Sequence, residues 1–441
     1  MQEATPENVL GAFDGRRLDH FGQVWTFFER DGRFLVNTAG PDGAPADFEI
    51  AYTFGVAPLQ QYLVRLPGGR LQALGTAWDA RPAAAGGQRW FHLHPDEPIP
   101  ADDVLHWTKL SQRWNAQCAE CHSTALRKGF DATEDAYDTS FAELDVACEA
   151  CHGPGSRHVA KAEGPGDDRA SGLVVAFEPW RPDRWRFEDE QPIARRTRPL
   201  ASHVELDTCA PCHARRSTLR EGRLPGEPLL DSHRPALLQP GLYEADGQMR
   251  DEVYVWGSFL QSRMHAAGVT CSDCHDAHSL ALRAEGNALC GQCHQPAAYD
   301  REAHHHHAPR SAGADCVACH MPARTYMVID ERRDHSFRVP RPDLSVSLGT
   351  PNACTDCHGE RPARWAADAV AAWFPDGRTG TPHYGEAFDA GRRRAPGATQ
   401  ALAGVARDAR QPVLVRATVL SLLDARAGGP APDAIAQGLR A

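Results

Sequence analysis

The sequence has no run of 18 apolar residues, the length a helix needs to cross a bilayer, so nothing in it reads as a membrane span. It has no excess of positive charge either. Lys and Arg number 47 against 58 Asp and Glu, and the net charge of −11 argues against nucleic-acid binding and against docking on anionic membrane surfaces. Met1 to Glu7 offers neither a basic start nor an apolar stretch, so a secretory leader is not expected in these residues. The most informative absence is the last: none of the 14 cysteines stands outside a single repeated pattern.

That pattern is Cys-x-x-Cys-His. Its copies are Cys118, Cys121 and His122; Cys148, Cys151 and His152; Cys209, Cys212 and His213; Cys271, Cys274 and His275; Cys290, Cys293 and His294; Cys316, Cys319 and His320; and Cys354, Cys357 and His358. Two thiols separated by two residues lie about one turn apart, so both can add to vinyl groups on the edge of one haem while the next residue brings an imidazole to the iron. Chance would supply roughly a few hundredths of one copy at this composition. Zinc is the strongest competing reading, since paired Cys-x-x-Cys units also build four-thiolate sites, but zinc has no need of a histidine after every pair. Disulfide scaffolding competes less well, because two-residue loops are strained closures and the chain is far larger than such scaffolds. The motifs therefore imply seven covalent haem c groups. The variant motif with lysine in place of histidine does not occur.

A chain of 441 residues with 42% hydrophobic content suits two to three globular domains. Its 38 glycines and 33 prolines cluster between motifs, where haem would itself supply much of the apolar core. Residues 1–19 show no strong period. Residues 20–102 read as a cysteine-free, β-rich scaffold or cap, with six antiparallel strands between 20 and 95 at Val24 to Phe28, Phe34 to Thr38, Phe48 to Phe54, Gln60 to Arg65, Leu71 to Trp78 and Arg89 to Leu93. Turns at Arg30 to Arg33 and Pro67 to Arg70 join two of the pairs, and a Pro-rich boundary falls between His94 and Asp102.

Residues 103–360 form the seven-haem region, with short helical turns at the motifs and irregular connections at 160–200 and 220–250. Only 15 residues separate Cys274 from Cys290 and 22 separate Cys293 from Cys316, so these sites must be close neighbours. Residues 361–441 are Ala-rich. A helix starts at Pro362 and stops at Pro375, Ala398 to Asp408 and Pro412 to Asp424 form a pair, and another helix runs from Asp433 to the chain end. Together they suggest an incomplete array of HEAT or tetratricopeptide type, a docking surface or a simple cap. The fold class is thus mainly α and irregular: a haem-packed core with an N-terminal antiparallel β-rich subdomain and a C-terminal helical repeat segment.

Of 22 histidines, 15 lie outside the motifs, far more than a soluble chain of this size needs. Most of the excess is expected to ligate iron from the face opposite the motif histidine, giving six-coordinate, low-potential centres suited to electron transfer. His158, His278 and His335 are the leading distal ligands, followed by His265, then His203, His233 and one of His304 to His307, taken as His305. His158 and His278 follow their own motifs too closely to reach round their own haems, so each is expected to serve a neighbour. His92, His94, His106 and His383 read as packed or surface residues, and Met264 and Met327 as packing residues. Arg215, Arg216, Arg324, Arg332 and Arg333 are candidate propionate partners.

Ala51 to Gly55 with Leu59 to Tyr62, Cys148 to His158, Val269 to His278, and Cys316 to Pro322 through Asp334 to Phe337 and on to His358 resemble bacterial multihaem c-type cytochromes with C-terminal tetratricopeptide or HEAT repeats. The resemblance implies a core like that of nitrogen-cycle multihaem cytochromes such as hydroxylamine oxidoreductase. It also implies a further motif and a histidine pair upstream of Met1, which would leave the irons of His122 and His152 the most exposed to a missing distal ligand. Covalent haem attachment takes place outside the cytoplasmic membrane, so the chain is expected to be exported and to work in the periplasm, as a processed or N-terminally incomplete form. The implied role is electron transfer between a quinol-oxidising module or soluble cytochrome and a terminal acceptor. The alternative is an oxidoreductase acting on a small nitrogen or sulfur compound at one open haem. No other catalytic constellation stands out.

Mass spectrometry of the denatured chain should show an increment of seven haems, and a smaller increment or bound zinc would contradict the assignment.

Overall fold

The computed structural model of the chain describes residues 1–164, 171–423 and 431–438. These form two compact units, the first made of Met1–Ala176, Thr218–Ser232 and Thr325–Arg332, the second of Phe177–Ser217, His233–Arg324 and Arg333–Ala441.

The first unit is built on an eight-stranded antiparallel sheet. Its strands are β1 (Gln2–Glu3), β2 (Asp14–His20), β3 (Gln23–Arg30), β4 (Arg33–Ala39), β5 (Pro45–Phe54), β6 (Leu59–Leu66), β7 (Arg70–Asp79) and β8 (Arg89–His92). From β2 to β8 each strand pairs with the next in sequence, and β1 adds to β5. A two-residue hairpin with a type I′ turn has both central residues at positive φ, which matches the strand twist. Phe21 and Gly22 (51° and 84°) meet that condition between β2 and β3, as do Asp31 and Gly32 (54° and 73°) between β3 and β4.

The strands from β3 to β8 follow the expected runs, but the sheet is larger than the six strands expected. β2 escaped notice because its sequence, DGRRLDH, is exposed at most positions and carries no apolar alternation. Trp25 and Phe27 on β3 alternate inward and join Phe13, Phe34, Tyr62, Trp78, Trp90 and Trp107 in one core. The Phe27 and Trp90 rings stack with centroids 3.6 Å apart, while Phe13 presents edges to Phe27, Phe34, Tyr62 and Trp90. The first long strand meets the last: His20 stacks on His92 at 3.6 Å, and its Nε2 hydrogen-bonds the carbonyl of His94 at 2.7 Å.

A second cluster in this unit, Phe54, Leu63, Leu71, Ala73, Trp114 and Ala119, seats the first motif against the sheet. Buried Asn115 fixes the join, accepting from Leu71 N at 2.8 Å and donating to the Gly69 carbonyl at 3.2 Å. Gly69 has φ of 68°, and a Cβ there would lie 2.0 Å from the Tyr137 carbonyl, so the backbone can approach only because the residue is glycine.

The second unit consists of short helices and irregular chain followed by the helices Ala363–Trp373, Tyr384–Arg392, Ala398–Arg407, Val413–Leu422 and Ala431–Gly438. Pro362 caps the first, as expected; Asp424 and residues 439–441, where two other helices were expected to run, lie outside the described residues. The helix Tyr384–Arg392 was not anticipated. Its start is a capping box built from His383 and Glu386, with histidine where Ser, Thr or Asp usually signals a helix start. Tyr384 packs it down by donating its hydroxyl to the Asp246 carbonyl at 2.6 Å, and Thr418 Oγ1 accepts from Leu238 N at 3.0 Å. No helix of the described residues is long and apolar enough to cross a membrane.

Phe27 is wholly buried, so Phe27→Ala should cost about 3–5 kcal/mol of stability in the first unit. Thermal unfolding followed by far-UV circular dichroism measures this, and a loss under about 1 kcal/mol would mean that the aromatic core does not carry the sheet.

Candidate haem-binding site

Each motif lies on a helical turn. His152, His213 and His320 end the helices Cys148–His152, Val204–His213 and Cys316–His320. His275, His294 and His358 donate their backbone N–H to the carbonyls of Cys271, Cys290 and Cys354 at 2.9, 2.9 and 2.8 Å. Histidine is thus one turn beyond the first cysteine, the relation that attachment of both thiols and ligation by the imidazole require. None of the cysteines forms a disulfide.

In the second unit the five motifs are neighbours in sequence order. The Cys271 thiol is lowered by a hydrogen bond with Cys209; burial and then Asp273 push Cys274 up to about 12, with Cys293 among the nearby thiols that add to the effect. Cys290 hydrogen-bonds Cys316, and Cys319, pushed up to about 11 chiefly by burial, lies close enough to Cys354 and Cys357 to be raised further by them. Raised thiols are protonated at neutral pH, a poor basis for a four-thiolate zinc site, whereas a thioether has no charge to protect.

The motif at Cys271 is gripped through both inner residues. Glu205 accepts from Ser272 N at 2.7 Å and from Ser272 Oγ at 2.9 Å. Asp273 accepts from Arg184 Nη1 at 2.8 Å and Trp185 Nε1 at 3.1 Å, with Arg196 at 3.8 Å. Arg196 in turn pairs with Glu178. Sequence reading missed this cluster, because Arg184 and Arg196 lie in a Pro- and Arg-rich stretch that resembles solvated loop.

Three non-motif imidazoles face motif imidazoles. His335 faces His275 with ring centroids 6.4 Å apart, His304 faces His320 at 6.3 Å, and His307 faces His358 at 6.2 Å, with the rings within 28° of parallel in each pair. Two imidazoles holding one iron from opposite sides, each nitrogen about 2 Å from the metal, would place their centroids about 6.3 Å apart, so the three pairs fit the group. The run of four histidines thus contributes two facing rings, His304 and His307, while His305 lies 6.5 Å from His307. His203 and His265 approach each other at 6.4 Å with a 46° tilt.

A ligating imidazole usually ties its other nitrogen to a carbonyl, which fixes tautomer and orientation. His320 Nδ1 bonds the Arg338 carbonyl at 2.5 Å and His152 Nδ1 that of Val175 at 2.8 Å. The same contact recurs at His335 with Arg333 (2.9 Å), His307 with His305 (2.5 Å) and His158 with Ser171 (2.6 Å). Burial lowers the pKa of His122, His213, His294, His304, His265 and His335, keeping them neutral with a lone pair available.

The remaining candidates are more dispersed. His278 is exposed in a loop held by Asp276, and His233 is buried on the short strand His233–Pro235. Among the candidate arginines, Arg215 and Arg216 donate to the carbonyls of Glu252 and Pro211, Arg332 pairs with Asp330 at 2.7 Å, Arg333 donates to the Met321 carbonyl, and Arg324 lies near Asp356. Met327 packs against the cluster of Leu59, Ala77, Phe91 and Ile329. Motif histidines also meet other rings: among the described residues, His358 meets Trp365 at 5.1 Å in addition to His307, while His294 meets Tyr299 at 5.6 Å and His122 meets Phe54 at 5.6 Å without facing an imidazole.

Two family models match the chain, a doubled CXXCH motif over residues 265–299 and cytochrome c554 and c-prime over residues 96–153. No curated protein sequence matches it. Among solved structures, the outer cell wall cytochrome OcwA is similar over 89% of this chain and 87% of its own, at 16% identity and a TM-score of 0.48.

With side chains 4–6% exposed, Arg184, Asp273 and Arg196 form a buried charge cluster, so Asp273→Ala should destabilise the second unit by about 3–5 kcal/mol, leaving the Arg184 guanidinium without its carboxylate while Arg196 keeps Glu178. Arg184→Met with Asp273→Leu should cost clearly less, and equal losses in thermal unfolding would contradict a charge-based effect.

Proposed function

We propose that this multihaem c-type cytochrome carries seven haems, one on each motif, and passes electrons along them between redox partners on the outer side of the cytoplasmic membrane. The observation that carries the reading is the set of imidazole pairs at 6.2–6.4 Å, each joining a motif histidine to a histidine distant in sequence. Covalently held haem c supplies a one-electron couple at each motif, and two imidazoles on one iron favour electron transfer over substrate binding. The seven motif histidines serve as proximal ligands. His335, His304 and His307 serve as distal partners to His275, His320 and His358, with His158, His278, His265, His203 and His233 supplying further distal contacts.

Nδ1 contacts to backbone carbonyls hold the imidazoles of His152, His158, His307, His320 and His335 in place, so that little need rearrange there when an electron arrives. Its partners are a quinol-oxidising module or soluble cytochrome on one side and a terminal acceptor on the other. The C-terminal helices, read as the start of a repeat array, offer a docking surface. The periplasm is the inferred location, since covalent attachment takes place beyond the cytoplasmic membrane.

His294 and His122 support a second reading. Among the described residues no imidazole faces either, so a centre there would have a coordination position for a small nitrogen or sulfur compound.

The ferric spectrum separates the two. Electron transfer alone is expected to give low-spin signals that do not change with nitrite, hydroxylamine or cyanide. A high-spin band that shifts with any of these would favour the oxidoreductase.

A further inference from the structure

The four histidines at 304–307 are not equivalent. His304 and His307 face two different motif histidines, His320 and His358. His305 orients its neighbour, its carbonyl taking the Nδ1 contact of His307 and its own Nδ1 accepting from His307 N at 3.2 Å. His306 faces neither motif histidine. It has a left-handed backbone, φ 57°, which is strained for a residue with a side chain. Its ring lies flat on Trp373, with centroids 4.2 Å apart and planes 10° from parallel, and its Nε2 is buried without a hydrogen-bond partner. Phe374 sets its edge against both His306 and His304 at 5.9 Å.

We infer that Trp373 is a positioning residue for two haems at once: its stack on His306 holds the left-handed turn that directs His304 to one motif histidine and His307 to the next. The inference rests on the distal ligation proposed above. The close seat of His307 fits the same picture, since a Cβ on Gly313 would lie 2.3 Å from the His307 ring. Through Trp373 the end of the helix Ala363–Trp373 sets coordination at centres whose cysteines lie elsewhere in the chain.

The test uses the full, haem-loaded chain, with covalent haem counted by mass and spin state by electron paramagnetic resonance. Trp373→Ala should leave the haem count unchanged and move two haems out of their wild-type low-spin signals, while Trp373→Phe restores them. Trp373→Leu keeps apolar bulk without the flat stack and gives the same reading if the alanine variant fails to fold. His304→Ala and His307→Ala should each convert one haem to high spin. If those two variants act and the Trp373 variants change nothing, the positioning role is overturned while ligation stands. If neither histidine variant alters any haem, the ligation reading fails, and the inference fails with it.

Discussion

An imidazole that is to hold iron must be neutral, buried and fixed through its second nitrogen, and much of this chain's irregular backbone meets that requirement. Helix and sheet ladders use up their own carbonyls, so neither has many to spare for orienting a side chain. Loop carbonyls are available. Those of Val175, Ser171 and Arg338 each take an Nδ1 contact from a histidine, and two carbonyls at element ends do the same, Arg333 closing the strand Asp330–Arg333 and His305 closing the helix Glu302–His305. Abundant glycine and proline between motifs thus has a positive role beyond permitting turns, because it leaves acceptors where ligand orientation needs them.

Buried charge gathers in several places: Asp79 pairs with Arg81 in the first unit, Arg338 lies between Asp246 and Asp334 in the second, and a further group stands at a motif. Arg184, Arg196, Glu178 and Asp273 meet at the motif of Cys271, which has motif neighbours on both sides, Cys209 through Cys271 and Cys293 through Cys274. Apolar packing of similar volume would be as stable or more so, but it would not fix the turn through Ser272 and Asp273 with directional bonds. A slip at this motif would disturb its neighbours on both sides, and the directional bonds to Ser272 and Asp273 oppose it.

The attachment chemistry was legible in the sequence because it is local: three residue types at fixed spacing state the covalent geometry completely. The strands from β3 to β8 were legible for the same reason, since alternation such as Trp25 and Phe27 reports a buried face directly. β2 was not, because its exposed, charged residues leave pairing to backbone hydrogen bonds that no side-chain pattern records. The helix at Tyr384 was hidden by an unusual cap. The pairing of imidazole rings was the hardest to read, because it joins residues by spatial position. The excess of histidine showed that facing rings should exist, yet nothing in the run 304–307 distinguished the two that face motif histidines from the one that stacks on Trp373.

The thiol environments bear on the competing zinc reading as strongly as the motif does. Asp273 is adjacent to Cys274, and it raises both that thiol and Cys293, each also raised by burial. For a zinc site this would be a costly arrangement, since burial and then the Asp273 carboxylate both oppose forming a thiolate at Cys274 and at Cys293. For a thioether it costs nothing, because sulfur bonded to carbon has no proton to lose and an apolar neighbour is its preferred surrounding. The carboxylate is then free to hold Arg184 and Arg196, and the same residue that makes the site hostile to a metal–thiolate cluster makes it rigid for a covalently anchored haem.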